Sequence, residues 1–232
     1  MSAHEPFGTT AGVPLEAHVE ELRRRGEATA RVQGGAPHYL EEVRIFRTYA
    51  AERGLCHLSG ALPELSRAPD DEGNEHQVWF QRETNAYLKV TWPDFFGLLV
   101  LYRQDEEERA SPIAYLERWH LHNELFGDSV RFLGALEEDG RLRLVIQQPA
   151  IEGVPATVEQ IHDFFTRNEW KRFTTNGEVA YFDPERKVAI SDTHRGNLIR
   201  MADGLLAPID LRVQPLSGAL LDYVMKACRC GS

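Results

Sequence analysis

The first third of the chain carries apolar residues at helical spacing. From residue 39 to Gly54 they recur about one turn apart, which predicts an amphipathic helix that the glycine ends. Its apolar face is formed by Tyr39, Val43, Phe46, Tyr49 and Ala50. A shorter helix is predicted over residues 14–25, ended by Gly26. Residues 1–13 have the composition of a mobile segment, and residues 59–73 that of a linker.

The middle of the chain changes to short apolar runs between turn residues. Strands are predicted at 77–80, 86–92, 96–102, 130–136 and 141–147. An acidic loop is predicted at 105–108. A helix follows it, with Ser111 as N-cap and Pro112 at the first helical position, and it ends at Gly127. This order predicts a mostly antiparallel sheet with one helix between its strands.

The last third again mixes helices with short strands. Thr157 is predicted to cap a helix of about ten residues, because apolar side chains then recur at helical spacing. Strands are predicted at 178–182, 187–191, 198–201 and 205–209, and a last helix at 216–227. The whole pattern indicates an α+β fold class.

Composition narrows the possible partners. The 232 residues carry a formal net charge of −10, so the chain has no bulk attraction for nucleic acid or anionic lipid. The longest apolar run, residues 95–102, is too short to cross a bilayer. With three cysteines and no secretory signal pattern, the chain is typical of a cytoplasmic protein. We therefore expect neither a nucleic-acid nor a membrane partner.

Three polar residues near the C-terminus form the strongest candidate site. Asp192 and Asn197 lie on a polar loop between two apolar strands, and Asp210 ends a further apolar strand. Such a set suits phosphoryl transfer, in which one carboxylate orients the attacking hydroxyl while an amide and a second carboxylate hold Mg²⁺. Asp and Asn also favour turns, so Asp192 or Asn197 taken alone is better explained as a turn residue, and only the ordered set with Asp210 and Lys89 favours a functional role.

Lys89 is the second unusual residue, because it lies in the middle of the apolar strand 86–92. A buried lysine is costly unless it pairs with anions. The alternative is a side chain that reaches solvent from an edge strand. The sequence leaves both interpretations open.

In this order the motifs resemble the protein-kinase and aminoglycoside-phosphotransferase superfamily. Asp192 to Asn197 has the Asp-x-His-x-x-Asn form of the small-molecule phosphotransferases, and Asp210 follows at the interval of the family's metal-binding Asp. Over residues 70–226 the chain is most similar to the compact serine/threonine/tyrosine kinase-like domains of polyvalent proteins in phages and mobile elements. The resemblance implies ATP and Mg²⁺ as cofactors and a hydroxyl acceptor on a protein or small molecule.

The resemblance also implies roles for individual residues. Asp192 would be the base, Asn197 and Asp210 would hold Mg²⁺, and Lys89 would bind the ATP phosphates. Glu117 would orient Lys89, with Glu124 as the second choice. Further nucleotide-binding positions would be Gly73, Asn74, His76, Ile146, Gln147, Gln148 and His194. His194 is equally compatible with a hydrogen bond inside its own loop.

The expected architecture is a two-lobed kinase-like fold. An N-terminal helical extension (1–69) would precede an N-lobe (70–148) and a reduced C-lobe (149–232). The chain departs from the family in having the single Gly73 in place of G-x-G-x-x-G, and only 22 residues follow Asp210. The alternatives to an active phosphotransferase are therefore a non-catalytic pseudokinase or interaction module and, more weakly, a structural relic.

Overall fold

The computed structural model describes residues 13–33, 38–57, 62–102 and 108–230. The helices in these ranges are α1 (Leu15–Gln33), α2 (Tyr39–Glu52), α3 (Pro112–Phe126), α4 (Val158–Arg167) and α5 (Gly218–Cys230). The strands are β1 (Cys56–His57), β2 (Asp71–Glu72), β3 (His76–Gln81), β4 (Ala86–Thr91), β5 (Arg131–Glu138), β6 (Arg141–Pro149), β7 (Val154–Pro155), β8 (Lys171–Thr175), β9 (Glu178–Asp183), β10 (Val188–Ser191), β11 (Leu198–Arg200), β12 (Leu206–Pro208) and β13 (Arg212–Pro215). The mixed α/β class is confirmed.

Some predicted segments fall outside these ranges. Of the predicted acidic loop 105–108, only Glu108 is described, and of the segment 1–13, predicted to be mobile, only Val13 is described. Of the predicted linker 59–73, residues 62–73 are described and include a 3₁₀ helix at Pro63–Ser66. None of the described helices combines the length and the apolar character needed to span a membrane.

The chain divides into two compact units. The first comprises Met1–Gly97, Arg109–His120 and Ser129–Ala150; the second comprises Leu98–Glu108, Leu121–Asp128 and Ile151–Ser232. The sheet of the first unit has the strand order β1-β5-β6-β4-β3-β2. All its neighbours are antiparallel except β1 and β5, which are parallel.

Strand alternation gives this sheet two buried faces. One face carries Phe132, Leu144 and Ile146 and packs against residues of α1, α2 and α3. The opposite face carries a smaller cluster that includes Trp79, Leu88 and Val145. The helices predicted as an N-terminal extension therefore share one core with the sheet.

Helix α1 does not end at Gly26, as the sequence predicts, but continues to Gln33. A glycine inside a helix costs only about 1 kcal/mol relative to alanine. Arg25 offsets this cost, because its guanidinium is 2.8 Å from Glu21 and 2.7 Å from Glu52 of α2. Tertiary contacts thus outweigh the local signal.

The third strand predicted at 96–102 is also wrong, because these residues form irregular backbone. A side chain replaces the missing ladder at Leu101. The amide of Gln214 accepts a hydrogen bond from the Leu101 N–H at 2.8 Å and donates one to its carbonyl at 2.9 Å. The backbone is satisfied without a partner strand.

The parallel pairing of β1 with β5 brings two backbones close together. A Cβ atom added at Gly134, whose φ is +139°, would lie 2.6 Å from the Leu55 carbonyl oxygen. Glycine is required here by both the close approach and the backbone angle. The N-terminal segment is thereby paired to the edge of the sheet.

The second unit contains two smaller sheets, with the orders β13-β10-β9-β8 and β12-β11-β7. All four residues of β10, the strand that leads into Asp192, are buried. Helix α4 begins with a reciprocal capping box between Thr157 and Gln160, which confirms the predicted cap. The sequence interpretation missed β8 and β13, which flank the predicted strands.

Candidate functional site

Lys89 is buried on an interior strand. Strand β4 lies between β3 and β6, and Lys89 faces Val78 and Ile146 across the two ladders. The side chain is 7% exposed, and its Nζ lies 5.1 Å from the ring centroid of Trp119 on α3. Because β4 is not an edge strand, Lys89 does not reach solvent in the way the alternative required.

A buried ion pair lies in the same unit. Arg118 of α3 donates a hydrogen bond of 2.5 Å to Glu75, and the two side chains are 5% and 10% exposed. Gly97 leaves room for the Glu75 carboxylate, since a Cβ at Gly97 would lie 2.9 Å from it. The sequence interpretation assigned no role to either charged residue.

Glu117 has a different partner from the predicted one. Its carboxylate accepts a hydrogen bond of 2.7 Å from Arg23 of α1, and a contact with Lys89 is not seen among the described residues. The cause is the packing of α1, which brings Arg23 to this side of α3. The second choice, Glu124, is exposed near the end of α3. The role predicted for Glu117 stays a prediction.

The turn at the expected phosphate loop joins β2 to β3. Gly73 uses its N–H inside this turn, donating to the His76 carbonyl at 2.8 Å. An added Cβ at Gly73 would meet nothing closer than 3.9 Å, so the structure shows no need for glycine there. Asn74 is exposed, while His76 is a buried strand residue whose Nε2 lies 2.8 Å from the Tyr115 hydroxyl.

Three of the predicted nucleotide-binding residues, Ile146, Gln147 and Gln148, lie on β6. Ile146 is fully buried opposite Lys89, and Gln148 is buried opposite Tyr87, so both share the face of Lys89. Gln147 points to the other face, where its Nε2 donates to Gln81 at 2.7 Å. The nucleotide contacts predicted for these three residues stay predictions.

Asp192 directly follows the buried strand β10. It is a non-glycine residue with φ +63°, a left-handed conformation that costs energy and often occurs at functional sites. Its carboxylate is partly exposed, lying 3.5 Å from His194 and 4.0 Å from Arg212. It also lines a cavity of about 290 Å³ with Glu178, Val179, Thr193 and His194.

Asn197 ties the two acidic positions together. Its Nδ2 donates to the backbone carbonyl of Asp192 at 2.9 Å and to that of Asp210 at 3.0 Å. Neither bond uses the amide oxygen. The two loops that carry the predicted base and the predicted metal ligand are therefore fixed by one buried amide.

The remaining residues of this loop are held by local contacts. His194 Nδ1 accepts a hydrogen bond from the Gly196 N–H at 3.0 Å, which leaves Nε2 facing Asp192. A side chain at Gly196 would collide with this ring, since a Cβ would lie 2.9 Å from it. Arg212, two residues after Asp210, places its guanidinium 3.7 Å from Glu178 as well.

The donor set of this loop fits a hard divalent cation. Carboxylate and amide oxygens are the ligands that Mg²⁺ prefers. The two Nδ2 bonds fix the Asn197 amide while its oxygen takes no part in them, and the same amide anchors the backbone of Asp210. These residues could hold Mg²⁺, and Asp192 could accept a proton from a hydroxyl in the neighbouring cavity.

A family model of serine/threonine/tyrosine kinases found in polyvalent proteins matches residues 40–214. The chain belongs to this kinase family. Searches among curated proteins and among solved structures gave no match.

For a member of this kinase family, the unforeseen feature is the Glu75–Arg118 pair. The helical spacing of Tyr115, Arg118, Trp119 and His122 places all four on one stripe of α3, and all four are buried. The arginine among aromatic and imidazole side chains at helical spacing was the available signal. Its partner, 43 residues earlier in the chain, carried no comparable signal.

Proposed function

We propose that this kinase-family protein is an ATP- and Mg²⁺-dependent phosphotransferase that moves the γ-phosphoryl group of ATP to a hydroxyl. The observation that carries the proposal is the Asn197 amide, which binds the backbone of both Asp192 and Asp210. One amide thus brings the base position and the metal position to a fixed separation, which phosphoryl transfer requires.

In the proposed reaction the acceptor hydroxyl oxygen attacks the γ-phosphorus, and the bond to the β–γ bridging oxygen breaks, so that ADP leaves. The Asp192 carboxylate takes the hydroxyl proton. Asn197 and Asp210 are the proposed Mg²⁺ ligands, and the cation would neutralise phosphate charge when bound. The Nε2 atom of His194 lies 3.5 Å from the Asp192 carboxylate and would orient it.

The proposed fold is two-lobed, with the nucleotide held by the N-lobe (70–148) and the base supplied by the reduced C-lobe (149–232). Lys89 would contact the phosphates, with Gly73, Asn74 and His76 nearby. Ile146, Gln147 and Gln148 would border the adenine. Glu117 could orient Lys89 only if its carboxylate released Arg23 and bound Lys89 instead. We place the reaction in the cytoplasm on the sparse cysteine content.

A pseudokinase is the second candidate, and a specific observation favours it. The Gly73 N–H is used within its own turn, and the turn has no glycine-dependent geometry. The Gly73 N–H is therefore not available to a phosphate, as it would be in a cradle of backbone N–H groups. A protein of this kind would bind nucleotide or a partner without transferring phosphate.

Thermal unfolding with ATP, with and without Mg²⁺, tests the proposal. A ligand that binds the folded state raises the melting temperature by mass action, so we expect a Mg²⁺-enhanced rise with ATP. ADP formation on the same sample then separates the two candidates. A melting temperature that neither ATP nor ATP with Mg²⁺ changes would contradict the phosphotransferase and a nucleotide-binding pseudokinase, while binding without turnover would favour the pseudokinase.

A further inference from the structure

Two buried cations share one aromatic ring in the first unit. Lys89 Nζ lies 5.1 Å from the Trp119 centroid and Arg118 Cζ lies 5.0 Å from it. Since both distances refer to the same point, the two charged groups are less than about 10 Å apart, with the indole as a common cation–π partner. An oligophosphate chain could bridge cations at such a separation.

The turn between β2 and β3 brings a carboxylate to this place. Glu75 follows Gly73 and Asn74, and its side chain turns inward to Arg118. The close fit to Gly97 shows that this inward position is built into the fold. The segment where phosphates were expected to meet backbone N–H groups thus presents an acidic side chain bound to arginine.

Guanidinium groups bind phosphate and carboxylate in the same forked geometry. A phosphate can therefore replace a carboxylate on an arginine without moving the backbone. Arg118 comes from a helix rather than a loop, and Trp119 beside it is fully buried, so the group is well positioned before any ligand arrives.

We propose that Arg118 is a second phosphate-binding residue, which together with Lys89 holds the nucleotide phosphates in place of a glycine-rich loop. Glu75 is a competing partner of the guanidinium, which it binds without ligand and gives up to phosphate oxygens. This inference rests on the proposed nucleotide binding and adds to it the residues that hold the phosphates.

The test measures affinities by calorimetry for ATP, adenosine and inorganic tripolyphosphate. Glu75→Gln removes the competing charge, so it should tighten ATP and tripolyphosphate about tenfold and leave adenosine unchanged. Arg118→Lys keeps the charge but loses the fork, so it should weaken the same two ligands about tenfold. Arg47→Gln is the matched control, because it removes another Arg–Glu pair between elements of the same unit and should change none of the three affinities.

Circular dichroism establishes that each variant is folded, and Arg118→Lys decides the question if Glu75→Gln does not fold. If the wild type binds ATP but neither variant alters ATP or tripolyphosphate affinity, this inference alone fails. If Glu75→Gln weakens both ligands, Glu75 is not a competitor and the inference also fails. If the wild type binds neither ATP nor tripolyphosphate, the proposed function fails with it.

Discussion

The two polar clusters of this protein are held by different means. In the Lys89 cluster (Glu75, His76, Lys89, Arg118 and Trp119) all side chains are buried, and Glu75 and Arg118 form an ion pair. In the Asp192 loop (residues 191–197) the acidic side chain is partly exposed, and its backbone is fixed by Asn197. A change in the first arrangement is therefore expected to affect stability, whereas the Asp192 carboxylate can be changed at little structural cost.

The largest expected effect is on turnover in the Asp192 loop. Asp192→Asn should lower phosphotransfer by about 10²- to 10⁴-fold, the usual contribution of a general base. Nucleotide affinity and the melting temperature should stay close to the wild type, because the carboxylate is partly exposed and the Asn197 amide binds only the backbone of Asp192. Steady-state ADP release and thermal unfolding measure the two properties.

Asp203→Asn is the control for this change. Asp203 also lies in a loop of the second unit, where it accepts a hydrogen bond from the Leu205 N–H at 2.9 Å, and its replacement should leave turnover unchanged. Full activity in Asp192→Asn would show that Asp192 is not the base.

In the Lys89 cluster we expect the main effect on stability rather than on turnover. Arg118→Met leaves the Glu75 carboxylate without its arginine partner, which typically costs about 3–5 kcal/mol of unfolding free energy. Adding Glu75→Gln removes the stranded charge and should recover much of that loss. Urea unfolding of the wild type, both single variants and the double variant gives the coupling energy.

The exposed Arg47–Glu137 pair provides the comparison, because surface pairs contribute about 0–1 kcal/mol. Arg47→Gln should therefore have a small effect on stability. Equal losses in Arg118→Met and Arg47→Gln would mean that burial does not distinguish the two pairs.

The Asn197 clamp should show an intermediate effect. Asn197→Asp keeps an oxygen for the cation but loses the donor to two carbonyls, so it should lower stability by about 1–3 kcal/mol. The Mg²⁺ dependence of ATP binding should weaken as well, since the loop is no longer fixed. Asn168→Ala removes a similar amide-to-carbonyl bond at the end of α4 and should not alter the Mg²⁺ dependence.

The smallest effect concerns Glu42 on α2. Burial raises its pKa, a hydrogen bond from Ser111 acts in the opposite direction, and the charge of Glu117 raises it further. A carboxyl with a raised folded-state pKa loses its stabilising contribution as the pH rises from the unfolded value through the folded one. The melting temperature of Glu42→Gln, measured relative to that of the wild type, should therefore rise as the pH increases from 4.5 toward neutral.

Glu41 is the neighbouring control, because a hydrogen bond from Arg44 lowers its pKa. Glu41→Gln should accordingly be slightly less stable than the wild type by an amount that stays constant from pH 4.5 to neutral pH and disappears as the pH falls below 4.5. A gain in both variants would show that general surface charge, rather than the Glu42 site, sets the pH dependence.

The sequence predicted the Asp192 loop more fully than the Lys89 cluster. Asp192, Asn197 and Asp210 lie within 19 residues, so local spacing and turn chemistry were sufficient to bring them together. Glu75 and Arg118 meet only because the strand order places the β2–β3 turn beside α3. Similarly, Gly26 was predicted to end the first helix. The helix continues because Arg25 pairs with Glu52 of α2, a contact that the local sequence pattern does not contain.

The parallel pairing of β1 with β5 has a consequence for solubility. An unpaired strand edge recruits other chains, and β5 would present such an edge if residues before 70 were removed. The backbone of β5 around Gly134, which now lies against the Leu55 carbonyl, would then be accessible. A variant that begins at residue 70 is therefore expected to self-associate more than the 232-residue chain, because the segment that pairs with β5 is removed.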